Sequence, residues 1–159
     1  MKNFASYFAE VYTHNNTARA NQIVQDYLSM RSDYCGFPLT DEHTIDAELV
    51  GSVISQLHTG KAPDIAGLTS EHLLYSHPSV PVLLTKLFNL IIQCKRVPEG
   101  FTHSYIVPIP KIKDPRIKSM TYDDFRGIAI SSLMSKVFEH CILDRFSTYF
   151  TSCDAQYGF

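Results

Sequence analysis

Basic side chains gather in one stretch of this 159-residue sequence. Lys111, Lys113, Arg116 and Lys118 follow one another closely, and Arg126 lies just beyond them. Lysine supplies a mobile point charge and arginine a fork that grips two oxygens, so this set suits phosphate. A solvated surface loop carries the same composition. Other chemistry is harder to build. Cys35, Cys94, Cys141 and Cys153 are too widely spaced for a CxxC knuckle, so no zinc finger is read. His72 and His77 have no cysteine pair nearby and read as surface or turn histidines. Asp123-Asp124 is an adjacent carboxylate pair, but in its polar setting it reads as solvated.

Two strand-like runs flank the basic stretch. His103 to Pro110 is β-rich, and its prolines confine it to an edge. Phe125 to Ile130 is a second strand. Pairing the two as an antiparallel hairpin, over about 103–110 and 124–130, puts the basic loop at its tip. Helical periodicity marks the rest. Phe4, Tyr7, Phe8, Val11 and Tyr12 predict one short helix, and Ile23, Val24, Tyr27 and Leu28 another. Residues 32–43 read as a linker. Thr44 is the expected cap of a helix through Leu57. Gly60 to Leu68, with Pro63, is a shaped loop, followed by a short helix from Thr69 or Ser70 to Tyr75. Leu83, Leu84, Leu87, Phe88, Ile91 and Cys94 form the stripe of a longer helix. Ser131 or Ser132 is expected to cap a last helix. Its apolar face runs from Met134 to Tyr149, with Lys136, Glu139, His140, Asp144 and Arg145 on the solvent face. The fold class expected is α+β, mainly α-helical.

Composition bounds the function. Hydrophobic residues make up 45% of the chain, which excludes a disordered polyelectrolyte. The net charge is −2, so the chain as a whole is not a polycation. That sum hides an asymmetry. In residues 1–80, Lys2, Arg19, Arg31 and Lys61 face nine acids, whereas residues 81–159 carry ten bases against seven acids. A basic half can still turn a positive face toward phosphates. Cys94 and Cys141 fall on apolar helical stripes and read as buried reduced thiols, which suits an intracellular, reducing compartment. No signal peptide or membrane span is read from the sequence.

The order of the short motifs carries a resemblance. Gly60-Lys61-Ala62-Pro63 with Gly67-Leu68 comes first, then Ile106-Val107-Pro108-Ile109-Pro110-Lys111. Asp124-Phe125-Arg126-Gly127-Ile128-Ala129-Ile130, Ser135-Lys136-Val137-Phe138-Glu139 with Arg145-Phe146, and Gln156-Tyr157-Gly158-Phe159 follow. This succession, over about residues 48–159, resembles the N-terminal fingers part of reverse transcriptases of non-LTR (LINE-like) retrotransposons. The resemblance implies a helical linker at 1–43 and a partial reverse transcriptase domain at 44–159. It implies that Lys111 and Arg126 contact the triphosphate of an incoming nucleotide, with Lys113 as a partner. Lys61 and Lys136 would contact the nucleic-acid strand. RNA template, DNA primer and deoxynucleoside triphosphates are the implied partners.

Two departures stand out. Asp64-Ile65-Ala66-Gly67 replaces the family's Gly-Pro-Asp-Gly, and Gly127 stands where the family has proline. In the family, palm carboxylates hold two Mg²⁺ ions, and the chain stops before those motifs. No catalytic residue and no metal ligand is therefore assigned here, and this chain by itself is expected to be inactive. The apolar stripes that would face the palm are expected to be exposed. Two other readings stand beside this one: a non-catalytic nucleic-acid-binding remnant and a helical protein-interaction module.

Overall fold

The computed structural model describes residues 3–13, 17–33, 43–111 and 120–150. Among them are six helices and one two-stranded antiparallel sheet, an α+β arrangement that is mainly helical. In chain order the helices are α1 (Phe4–Val11), α2 (Thr17–Asp33), α3 (Ala47–Ser55), α4 (Ser70–Leu74) and α5 (Ser79–Cys94), with α6 (Leu133–Arg145) following the strands. The strands are β1 (Ser104–Pro110) and β2 (Phe125–Ser131). The chain forms two compact units. One comprises Met1–Pro38 and Ile106–Ile128, the other Leu39–Tyr105 and Ala129–Phe159.

The second unit holds a contiguous core. Val50, Val53 and Ile54 of α3, Leu73 of α4, Leu84, Phe88 and Ile91 of α5, and Leu133, Val137 and Cys141 of α6 are all buried. Phe88 is fully enclosed and meets Phe138 at 5.1 Å between ring centroids. Burial raises the Cys141 thiol to about 11, so it behaves as a small apolar side chain.

Several boundaries differ from the sequence reading. The third helix starts at Ala47, two residues after Ile45, and its cap is Asp46, which accepts the Leu49 N–H at 2.7 Å. Thr44 does not cap it because Asn89 of α5 holds the neighbouring backbone. The Asn89 amide accepts the Ile45 N–H at 2.9 Å and donates to the Ile45 carbonyl at 2.7 Å. The stripe expected on α5 divides in two. Leu84, Phe88 and Ile91 are buried, whereas Leu83, Leu87 and Cys94 are exposed, because the helix is apolar over a wider arc than one contact face covers. The buried thiol expected at Cys94 is thus an exposed one. Arg145 also leaves its expected place. It is half-buried and pairs with Asp46, joining the end of α6 to the start of α3.

The first unit is built on aromatic contacts. Phe4 of α1 lies edge-on to Tyr122 and Phe125, with centroids at 5.1 and 4.8 Å. Tyr7 donates to Asp123 at 2.8 Å, and Tyr12 donates to the Gly127 carbonyl at 3.1 Å. The first helix, read as part of a linker, thus packs on the tip half of the hairpin. Gly127 is the close approach. A Cβ there would lie 2.8 Å from Phe8 and 2.9 Å from the Tyr12 hydroxyl. The reason for glycine is space beneath α1. The second helix is longer than read and buries none of its residues.

Candidate nucleic-acid interface

Lys61 and Lys136 line one cleft. It has a volume of about 160 Å³, and its wall includes His58, Asp64, Thr69, Ser131 and Leu133. The loop from Gly60 to Leu68 forms one side and the first turn of α6 the other. The loop's shape follows from its residues. Gly60 and Gly67 take φ of 70° and 80°, a region that side chains with a Cβ resist. The Glu71 carboxylate accepts the Gly60 N–H at 2.6 Å, which anchors the start of the loop to α4. Tyr105 at the head of β1 donates to the Pro63 carbonyl at 2.6 Å and anchors its middle. His72 accepts the Thr69 N–H at 3.0 Å through Nδ1, so it is a helix-capping residue.

Asp64 ties the cleft together. It is buried, and one carboxylate oxygen accepts the Ala66 and Leu68 N–H groups, both at 2.9 Å. The other accepts the Leu133 N–H at 2.9 Å. The side chain of Ser132, the expected cap, makes no capping bond, and Asp64 supplies it from 69 residues away. A carboxylate is suited to this helix end, where unpaired N–H groups carry partial positive charge. Burial pushes the Asp64 carboxyl up. The N–H groups of Leu133, Leu68 and Ala66, with the Lys136 charge, outweigh it and hold its pKa below the ordinary aspartate value. The carboxylate is thereby satisfied by backbone donors, which leaves the two lysine heads as the cations available at this cleft. Its volume falls below the roughly 300 Å³ at which small-molecule pockets begin. A phosphodiester segment lying across the opening fits this better than an enclosed nucleotide.

Lys111 and Arg126 belong to the other unit. The Lys111 N–H bonds to the Asp124 carbonyl at 2.8 Å, which fixes the hairpin register. That register puts Ile109 opposite Arg126 and makes Lys111 and Arg126 diagonal neighbours on one sheet face. Both are exposed. The Lys111 ammonium donates to the Asp123 carbonyl at 2.6 Å, so it also braces the hairpin end. Exposed Ile109 and Ile128 share this face. Lys113, with Arg116 and Lys118, lies outside the described residues, as does the Gln156–Phe159 motif.

The Asp123-Asp124 pair is not simply solvated. Asp123 accepts the Tyr7 hydroxyl, and Asp124 accepts the Thr121 N–H at 2.9 Å and its hydroxyl at 3.0 Å. The hydrogen bond from Tyr7 to Asp123, first among several causes, raises the Tyr7 phenol. Among the described residues, no group of three or more His, Cys, Asp or Glu is arranged to hold a metal ion. Among the same residues, no helix is long and apolar enough to cross a membrane. Sequence reasoning missed Asp64, Glu71, Asn89 and Tyr105. The Asp64 signal was present locally, as an aspartate before a glycine turn, but its partner at Leu133 was not. No protein-family model matches the chain, and no curated protein matches it.

Proposed function

We propose that this chain is the fingers part of a retrotransposon reverse transcriptase and contributes contacts to the template strand and the incoming nucleotide. The observation that carries the proposal is the ordered run of motifs from Gly60 to Phe159. The cleft supports it, because two lysines that the motifs single out independently line one surface. Lys61 and Lys136 take strand phosphates in this reading. Lys111 and Arg126, on one face of the hairpin, take the triphosphate, and Lys113 joins them. The motifs matched here do not include the family's Mg²⁺-binding carboxylates, so the proposal gives these residues binding roles and no metal-dependent step. Primer extension by the purified chain with Mg²⁺ and deoxynucleoside triphosphates overturns that part.

Binding is tested with a labelled RNA–DNA hybrid, read by fluorescence anisotropy at rising salt. Affinity should fall linearly on a log–log plot, because each neutralised phosphate releases counterions. Replacing Lys61 and Lys136 by alanine should weaken binding and reduce the slope by about 0.9 for each duplex phosphate no longer neutralised. Absence of binding at low salt, or binding insensitive to salt, overturns the reading.

A helical interaction module is the second reading. Leu83, Leu87 and Leu90 favour it, since they form an exposed row along α5. In the polymerase reading the same row faces the palm. A chain that binds no nucleic acid, yet exposes this row to a hydrophobic dye, favours the interaction module.

A further inference from the structure

None of the 17 residues of α2 is buried. A helix of this length is marginal in water, because helices in proteins are held chiefly by packing an apolar face. Its residues do not make up the difference. Thr17, Ile23 and Val24 are β-branched, and Asn21, Ser29 and Ser32 are weak helix formers. An apolar face is nevertheless present. Ala20, Ile23, Tyr27 and Met30 recur at alternating steps of three and four, the a and d positions of a heptad seam. Ile23, Tyr27 and Met30 are 57%, 55% and 67% exposed, and exposed Val24 and Leu28 widen the face.

The charges beside the seam select an occupant. With Ala20 at a, Asp26 is a g position and Arg31 the e position five residues on. In a parallel pair, a g residue meets the following e residue of the other helix. Asp26 would then face Arg31 of a second copy, and the two-fold axis repeats the pair. An antiparallel pair would oppose Asp26 to Asp26 at its centre. It would also set Arg19 against Asp33, but at the frayed helix ends, where an exposed ion pair contributes least and where both residues already have interactions. The Gln22 amide donates to Asp26 at 2.8 Å and holds the carboxylate on the flank of the helix.

We infer that α2 pairs in parallel with α2 of a second copy of this chain. The inference stands apart from the polymerase reading, since it uses none of the basic site residues. Sedimentation velocity and far-ultraviolet circular dichroism of the full chain test it, from low micromolar to submillimolar concentration. Dimer and helicity should rise together. Ile23→Glu should weaken the dimer by at least about tenfold, because it puts a charge into an apolar seam. It should leave the near-ultraviolet signal of the core unchanged, since α2 buries no residue. Asp26→Arg and Arg31→Asp should each weaken the dimer a few-fold, and the double reversal should restore it. Asp26→Asn should also weaken it. A monomer throughout the range, a dimer indifferent to Ile23→Glu, or a dimer that Asp26→Asn tightens overturns the inference.

Discussion

The two basic surfaces are built on opposite plans. Lys61 and Lys136 stand on a cleft whose frame is a buried carboxylate, with three backbone amides converging on Asp64. Lys111 and Arg126 stand on an exposed strand face, and the support of that strand is aromatic, from Phe4 to Tyr12 of the first helix and its end. One surface is preorganised by charge and hydrogen bonds, the other by ring packing beneath a glycine. They should therefore fail differently. The first depends on pH, the second on volume.

The largest effect is expected for Asp64→Ala. It leaves three N–H groups without their acceptor and should cost about 2–4 kcal/mol in urea unfolding. The variant should also weaken nucleic-acid binding although neither lysine is touched. Gly127→Ala should cost about 1–3 kcal/mol, since a methyl group meets Phe8 and Tyr12 at overpacked distance. Its signature should be a changed aromatic near-ultraviolet signal, with Lys61–Lys136 binding unchanged. A shared signature for both variants would collapse the distinction between the surfaces.

The smallest effect is the dependence on acid. The folded Asp64 pKa is held below its unfolded value, which lies near 3.9. Its contribution is therefore fully present above that value and is lost as pH falls through the lower folded pKa. Asp46 is shifted the same way, first by the Leu49 N–H and then, against burial, by Arg145. As pH falls from about 5 through the lowered folded pKa, the Asp64→Asn variant should lose less stability than the parent chain. Equal slopes in acid unfolding would remove Asp64 from this account.

Much of the fold was legible where the signal is local. Thr69 before α4 and the hairpin strands lie within a residue or two of expectation, because caps, prolines and β-rich runs act over a few positions. The antiparallel pairing and mainly helical class followed from the same signals. What escaped was long-range. Asn89 reshapes the backbone at Ile45 from 44 residues away and so moves the start of α3. The division of the α5 stripe depends on which neighbours pack against it, and periodicity cannot state that. For the candidate site, four of the five lysines and arginines lie on described residues, and all four are exposed. The residues that position them were silent. Asp64 looked like a departure from a motif, and its reach to Leu133, which joins the loop to the last helix, could not be read from its neighbours.

That reach sets a timetable during synthesis. Asp64 leaves the ribosome 69 residues ahead of Leu133, the backbone donor that completes its set of three. At about 5–20 residues per second the interval is roughly 3–14 s. Throughout it, of the three backbone donors only the two amides of its own loop have been made available to Asp64. The cleft is thus a late product of translation, completed when the first turn of the sixth helix arrives and the loop-closure cost of that span has been met.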